Sequence, residues 1–304
     1  MTPHVLVTGA GGFVGSHMVE GFLAMGHAVT ALDRGFDAPT RTRLSRATLV
    51  ETALTRNALA CLPKFDLLIH GAAITTPPAD LGLSESEHIR ANVDLLLDCL
   101  DFAAASGARD FVFLSSSGVF GLDDGDAIHL ETTPARGDIP YALAKRAGEK
   151  ATEAAGLGLL RAVSVRLGPL YGPHEAPRQT RMIVSQVRRW LDTAVAGAPI
   201  MVPMPDERRD WTFAPDLPFA LEALLRHEPP ITGIVHLTSA DIIANIDLAA
   251  AIANLVGGVA PSIQPSGARP RLPMASSRLD MPSLYPWTSL AAGLAQTLAA
   301  EAPR

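Results

Sequence analysis

Apolar and polar positions alternate along the chain in two rhythms. Short continuous apolar runs read as buried strands, and stretches whose apolar residues recur every three or four positions read as helices. Residues 4–8 predict a first strand. A glycine-rich turn follows, then a helix carrying Met18, Val19, Phe22 and Leu23 on one side and stopping at Gly26. Ala28–Leu32 predicts a second strand, 47–52 a third, and 55–62 a short helix. Asp66–Ala73 reads as a buried strand ending in small residues, 84–105 as a long helix, and Phe111–Leu114 as a fifth strand. A helix over about 140–155 and the apolar run Ala162–Arg166 complete this part of the chain. From 167 to about 212, glycine, proline and arginine break the rhythm. Helix and strand return over 213–237, and a helix is predicted over 247–256. The proline-rich 259–287 reads as loop, and 288–300 as a last amphipathic helix.

Strands alternating with helices predict an α/β fold, a doubly wound parallel sheet of Rossmann type with helices on both faces. The breaks assign 1–168, with 213–240 returning to it, to a dinucleotide-binding domain. Residues 169–212 and 241–304 are expected to form a smaller substrate-binding lobe. Composition supports a packed chain: 48% of the 304 residues are apolar and 18% are charged, with no low-complexity tract. A net charge of -6 with no basic block argues against a nucleic-acid partner or a membrane surface. No run approaches the about 18 apolar residues of a spanning helix. The first residues lead straight into Val5-Leu6-Val7 and read as a strand rather than a signal peptide. Cys61 and Cys99 sit in apolar, helix-like surroundings without metal-ligand spacing, as expected of reduced core residues in a cytoplasmic protein. The nine histidines form no ligand cluster, so no metal is expected.

Three stretches carry candidate chemistry. Gly9, Gly12 and Gly15 lie between a strand and a helix, with Asp33 ending the next strand. Glycines let a backbone approach a pyrophosphate, the helix N-terminus adds positive field, and a carboxylate about 20 residues on takes up ribose hydroxyls. Asp33 would repel a 2′-phosphate, which favours NAD over NADP; Arg34 beside it leaves open stacking on the adenine or a phosphate contact. Tyr141 and Lys145 stand one helical turn apart, where an ammonium can draw the phenol down from its ordinary value of about 10. Ser115, Ser116 and Ser117 follow the fifth strand and bring hydroxyls to the same edge of the sheet. His70 reads as a packed or hydrogen-bonded structural residue. Asn92, within an apolar helix, needs a buried partner, structural or cofactor-facing.

Taken together, Thr8-Gly-Ala-Gly-Gly-Phe-Val-Gly15, Asp33, His70-Gly-Ala-Ala73, Asn92-Val93, Leu114-Ser-Ser-Ser-Gly-Val-Phe-Gly121, Tyr141-Ala-Leu-Ala-Lys145, Arg166-Leu-Gly-Pro-Leu-Tyr-Gly-Pro173 and Arg209-Asp-Trp-Thr-Phe213 leading to Asp216 resemble the extended short-chain dehydrogenase/reductase family, also called NAD-dependent epimerase/dehydratase. The resemblance runs end to end. It implies Ser116, Tyr141 and Lys145 as the catalytic set, with Phe120 where the family usually has tyrosine. Gly9, Gly12, Phe13 and Val14 would line the pyrophosphate, and Asp33 and Arg34 the adenosine end. Ala72, Ala73, Asn92 and Leu167, with Tyr141 and Lys145, would touch the rest of the cofactor. Ser116, Ser117, Tyr141 and Arg209 would meet the substrate, Arg209 at a nucleotide-sugar phosphate.

Several positions depart from the family. Pro169 replaces an asparagine that touches the sugar diphosphate, and proline offers no amide donor. Ser117 and Gly118 stand where dehydratases carry acidic residues, so dehydration is not expected. Thr52 replaces an aspartate near the adenine. The expected activity is hydride transfer at a secondary alcohol of a carbohydrate, foremost in a nucleotide-sugar (UDP- or dTDP-sugar) epimerase. The alternatives are a net NAD(P)-dependent dehydrogenase of a free sugar, sugar acid or similar hydroxy compound, and a non-catalytic NAD-binding regulator. Relatives often dimerise through the helices that here span about 84–105 and 140–155, which makes a homodimer the expectation.

Overall fold

The computed structural model describes residues 3–301. Met1 and Thr2, at the start of the stretch read above as leading into a strand, and residues 302–304 lie outside the described residues. The chain opens with β1 (His4–Thr8), α1 (Phe13–Ala24), β2 (Ala28–Asp33), α2 (Ala38–Arg43), β3 (Thr48–Glu51), α3 (Arg56–Ala60) and β4 (Leu67–His70). It continues through α4 (Glu85–Ser106), β5 (Asp110–Ser116), α5 (Pro140–Ala155) and β6 (Arg161–Leu167). An interruption follows, holding the short strands β7 (Leu170–Tyr171), β8 (Met201–Val202), β9 (Arg208–Asp210) and β10 (Thr212–Phe213). Strand β11 (Gly233–Leu237) then returns to the first sheet. All seven strands of that sheet run parallel in the order β11-β6-β5-β4-β1-β2-β3.

A parallel sheet covered on both faces needs continuous apolar strands, and β1 shows why. Val5 and Val7 face one core with Met18, Val19 and Phe22 of α1 and Leu217 and Leu221 of α7 (Leu217–Leu225). Leu6 faces the other, with Leu96, Cys99 and Leu100 of α4 and Phe111 and Phe113 of β5. The register sets Thr8 between Leu32 and His70, so β1, β2 and β4 end at the same level. The chain winds outward from β1 through β2 and β3, then restarts on the other side with β4. A crevice therefore opens between the ends of β1 and β4, the place where ligands bind in such sheets.

The interruption packs around its own apolar cluster, which includes Tyr171, Trp190, Leu191, Trp211, Phe213, Leu248, Ile252 and Leu294. Three small ladders frame it. β7 pairs with β10, β9 with β12 (Ile242–Ala244), and β8 with β13 (Ser262–Ile263). The helices here are α6 (Gln186–Val195), α8 (Asn245–Val256) and α10 (Leu290–Glu301), whereas α9 (Met281–Leu284) packs Met281 into the core of the main sheet.

Three features differ from the sequence expectation. Residues 186–195, within the stretch read as irregular and basic, form α6: Ser185 caps its start by accepting from Arg188 N at 3.1 Å, and Val187, Trp190, Leu191 and Ala194 are buried. The expected loop over 259–287 contains β13 and α9. Cys61 is exposed rather than part of the core, because it caps the C-terminus of the one-turn helix α3; Cys99 is buried as expected, and both thiols are free.

Candidate active site

A cavity of about 860 Å³ fills the crevice, and almost every residue singled out from the sequence lines it. At one end the turn after β1 lies against the loop after β4. Gly9 adopts φ +70, and a Cβ there would stand 2.6 Å from Ala72 N; a Cβ on Gly15 would overlap the Gly9 carbonyl. Only glycine permits this approach. The turn delivers Gly12, Phe13 and Val14, the start of α1, to the cavity wall, where free helix N–H groups favour an anion. Asp33, ending β2, accepts from Gly11 N at 2.9 Å and Gly35 N at 3.3 Å and lies 3.6 Å from the Arg178 guanidinium. Arg34, exposed, and the small residues Ala72 and Ala73 also line the cavity. Asn92 does not. Its side chain accepts from Ile74 N at 2.8 Å and donates to the carbonyls of Ile74 and His88, so it pins the loop that carries Ala72 and Ala73 instead of reaching toward a cofactor.

At the other end β5 delivers Ser116 and Ser117, α5 delivers Tyr141 and Lys145, and β6 delivers Leu167. Pro140 occupies the first turn of α5, where its missing N–H costs nothing and its fixed φ suits the helix, and Tyr141 follows it. The Tyr141 phenol is hydrogen-bonded to Ser116, whose oxygen also accepts from Gly118 N at 3.0 Å. Lys145 is buried; its ammonium donates to the Leu114 carbonyl at 2.7 Å and lies 4.6 Å from the Phe113 ring centre.

The depression of the tyrosine by Lys145 expected from their spacing is not found. Burial pushes the Tyr141 phenol up to about 12, opposed by the Ser116 hydrogen bond and the charge of Arg181. The lysine is committed to Leu114, with the Tyr141 ring centre 5.6 Å away, and burial draws Lys145 itself down to about 8 against the pull of Glu149. His70 is structural, as read: it shares a 2.9 Å hydrogen bond with Thr8, packs on Phe113, and burial lowers it to about 3.

Sequence reasoning missed several neighbours. Glu149 accepts from Ser115 Oγ at 2.7 Å and from both Arg166 Nε and Nη2, tying β5 and β6 to α5 beneath the site. Its position one turn after Lys145 on the same helical face was the available signal. Trp211 and Arg271 join Arg209 on the cavity wall, and Arg178 and Arg181 reach it while Arg188 and Arg189 of the same basic segment stay on α6. Among the described residues, Arg209 Nε, Trp211 Nε1 and Arg181 Nη1 are buried donors with no hydrogen-bond acceptor. Arg209 pairs only distantly with Glu207, at 3.9 Å. Arg208 points instead to the Ile242 carbonyl.

The model of the NAD dependent epimerase/dehydratase family matches residues 5–235, and the chain belongs to that family. It is 26% identical over 272 residues to the uncharacterized UDP-glucose epimerase YtcB of Bacillus subtilis (strain 168), covering 83% of this chain and 82% of that one. It is 32% identical over 205 residues to the dTDP-glucose 4,6-dehydratase of Streptomyces griseus, covering 59% and 58% respectively. Among solved structures, the fold matches the UDP-glucose 4-epimerase of Thermotoga maritima with UDP-glucose, at TM-score 0.80 and 20% identity over 98% of both chains. It likewise matches the UDP-glucose 4-epimerase of Thermus thermophilus in complex with NAD, at TM-score 0.77 and 23% identity over 98% of both. The cofactor is NAD. The glycine turn that no Cβ could enter, the start of α1 and the Asp33 carboxylate fit a dinucleotide along one side of the cavity.

Proposed function

We propose that this chain is a nucleotide-sugar epimerase that oxidises and re-reduces a secondary alcohol of a UDP- or dTDP-sugar. The observation that carries the reading is that Ser116, Tyr141 and Lys145 share one cavity with the glycine turn, while Arg209, Trp211 and Arg271 line the same wall. Arg209 and Arg271 put positive charge on that wall, where a diphosphate would meet it. The relatives' names support the same substrate class.

In this reading Gly9, Gly12, Phe13 and Val14 hold the pyrophosphate, Asp33 the adenosine ribose, and Ala72, Ala73, Leu167 and Lys145 the remainder, with Arg34 at the adenine. When bound, NAD supplies the hydride acceptor and donor. Ser116 and Tyr141 grip the substrate oxygen, Tyr141 taking its proton as the carbon is oxidised and returning it on reduction, with Ser117 beside them. A phenol held near 12 is an acid as it stands. To act as base it needs a cation beside the phenolate, and Arg181 is the cation whose charge acts on Tyr141. The division into a dinucleotide-binding part (1–168 with 213–240) and a substrate-binding part (169–212 with 241–304) belongs to the same proposal, supported by the separate apolar cluster of the latter. So do a homodimer through α4 and α5, by likeness to relatives, and a cytoplasmic setting, supported by two unpaired cysteines.

A second reading, net oxidation of a free sugar or sugar acid, is favoured by Pro169, which lines the cavity without a donor to offer. Mixing the protein with NAD and UDP-glucose, UDP-galactose, dTDP-glucose or free sugar acids separates the two. An isomeric nucleotide sugar without net NADH supports the proposal; net NADH from a free sugar overturns it in favour of the second reading, and neither product across the panel overturns both.

A further inference from the structure

The segment after Pro173 does not lie beside the crevice but crosses it. On one bank, at the ends of β1 and β2, Arg178 donates Nη1 to the Gly11 carbonyl and Nη2 to the Gly35 carbonyl at 2.7 Å, and its charge faces Asp33 at 3.6 Å. On the other bank, past the end of β4, Thr75 N and Thr76 N donate to the Thr180 carbonyl at 2.8 and 3.1 Å. The Thr75 hydroxyl reaches that carbonyl too, and the Thr76 hydroxyl reaches Gln179 O at 2.8 Å. Between the banks the chain makes a tight turn closed by reciprocal Arg178 and Arg181 backbone hydrogen bonds of 2.9 and 2.8 Å. The far end is moored as well: Glu175 accepts from Arg181, Ser185 N and Ser185 Oγ, and Pro173 O bonds the His17 ring of α1. Ala176, Arg178, Thr180, Arg181 and Ser185 form this side of the cavity wall.

From this we infer that residues 174–185 are a strap beneath which the dinucleotide is threaded, and that Arg178 is the positioning residue whose ties set how fast the cofactor leaves. The crevice opens past the ends of β1 and β4, above the contact of Gly9 with Gly71 and Ala72, and both of its banks are tied to the same short turn, so a dinucleotide lying across it passes under residues 178–181. The two banks are not equivalent. The ties to Thr75 and Thr76 rest largely on backbone groups, whereas the hydrogen bonds from the turn 178–181 to the β1–β2 bank all come from the Arg178 guanidinium. Arg181 adds a second cation to the turn, 5.4 Å from the Phe13 ring centre at the start of α1. In the function proposed above, a strap of this kind keeps the reduced cofactor in place between oxidation and re-reduction. The strap itself depends on the cofactor cleft alone.

Release of NADH from the purified protein, chased with excess NAD and followed by its fluorescence, tests the inference without any sugar. Arg178→Ala is expected to release NADH about tenfold faster or more, the effect of losing charged hydrogen bonds to two carbonyls. Arg178→Lys should restore part of the retention, and Thr76→Val, which loosens the opposite bank, should also speed release. Melting temperature, read on each variant, identifies one that fails to fold; Arg178→Lys and Thr76→Val then carry the test. Release within twofold of the parent for folded Arg178→Ala, or for both of the other two, overturns the strap. The nucleotide-sugar reading stands or falls separately on the product assay.

Discussion

The two sides of the cavity are built in opposite ways. On the cofactor side, polar groups are paired within the protein: Asp33 with two backbone N–H groups, His70 with Thr8, His17 with the Pro173 carbonyl, Asn92 with Ile74. Backbone meets backbone there with no room for a side chain. On the substrate side the wall comes from the ends of small ladders, and Arg209 and Trp211 there keep donors without acceptors. The first arrangement describes a surface shaped for one fixed ligand. The second describes a surface completed by its ligand, so changes on the two sides should fail differently.

The largest break is expected at Gly9→Ala. A methyl 2.6 Å from Ala72 N at φ +70 forces the two banks of the crevice apart. NAD affinity should fall by more than about a hundredfold and stability by about 1–3 kcal/mol, measured by fluorescence titration and thermal melting; retained NAD binding would show that the turn is not the cradle. Tyr141→Phe should leave NAD affinity within twofold and lower kcat at least about a hundredfold, the scale of one acid/base group. Arg209→Ala should act on the other side alone, raising KM for a nucleotide sugar about tenfold or more while NAD binding and kcat hold. A loss confined to kcat would take Arg209 off the substrate.

The smallest effect at neutral pH concerns the paired side. Burial lowers His17 and His70 from 6.5 to about 3. The unfolded chain therefore binds more protons than the folded one between about 3 and 6.5, and stability rises with pH across that window and is lost on acidification. Replacing His17 by Gln should flatten the slope of stability against pH by about 1.4 kcal/mol per pH unit there. An unchanged slope would mean that His17 takes up its proton in the folded state.

Much of this was legible in the sequence because the parallel sheet writes itself as short apolar runs and because the glycine turn, Ser116, Tyr141 and Lys145 occupy fixed places along it. What was not legible depends on contacts distant in sequence or on burial. Helix α6 was hidden because Arg188 and Arg189 interrupt an apolar face that exists only once Trp190 and Leu191 have a cluster to enter. The meeting of Arg178 with Gly11 and Gly35 joins residues that nothing local connects. Asn92 was equally consistent with either partner until Ile74 was found opposite it. Spacing put Lys145 beside Tyr141 correctly but could not say that the Leu114 carbonyl would claim the ammonium, or that burial would outweigh its charge at the phenol.

The short ladder between Leu170–Tyr171 and Thr212–Phe213 has a consequence for the history of such proteins. The stretch between those two pairs starts and ends side by side at this ladder, and beyond it the 173–181 segment ties back to the main sheet by hydrogen bonds rather than strand pairing. Such a tether lets the intervening loops be lengthened, shortened or re-sequenced while the reacting hydroxyls stay where the seven strands put them. Diversification of what is accepted can then proceed without renegotiating how the reaction is done.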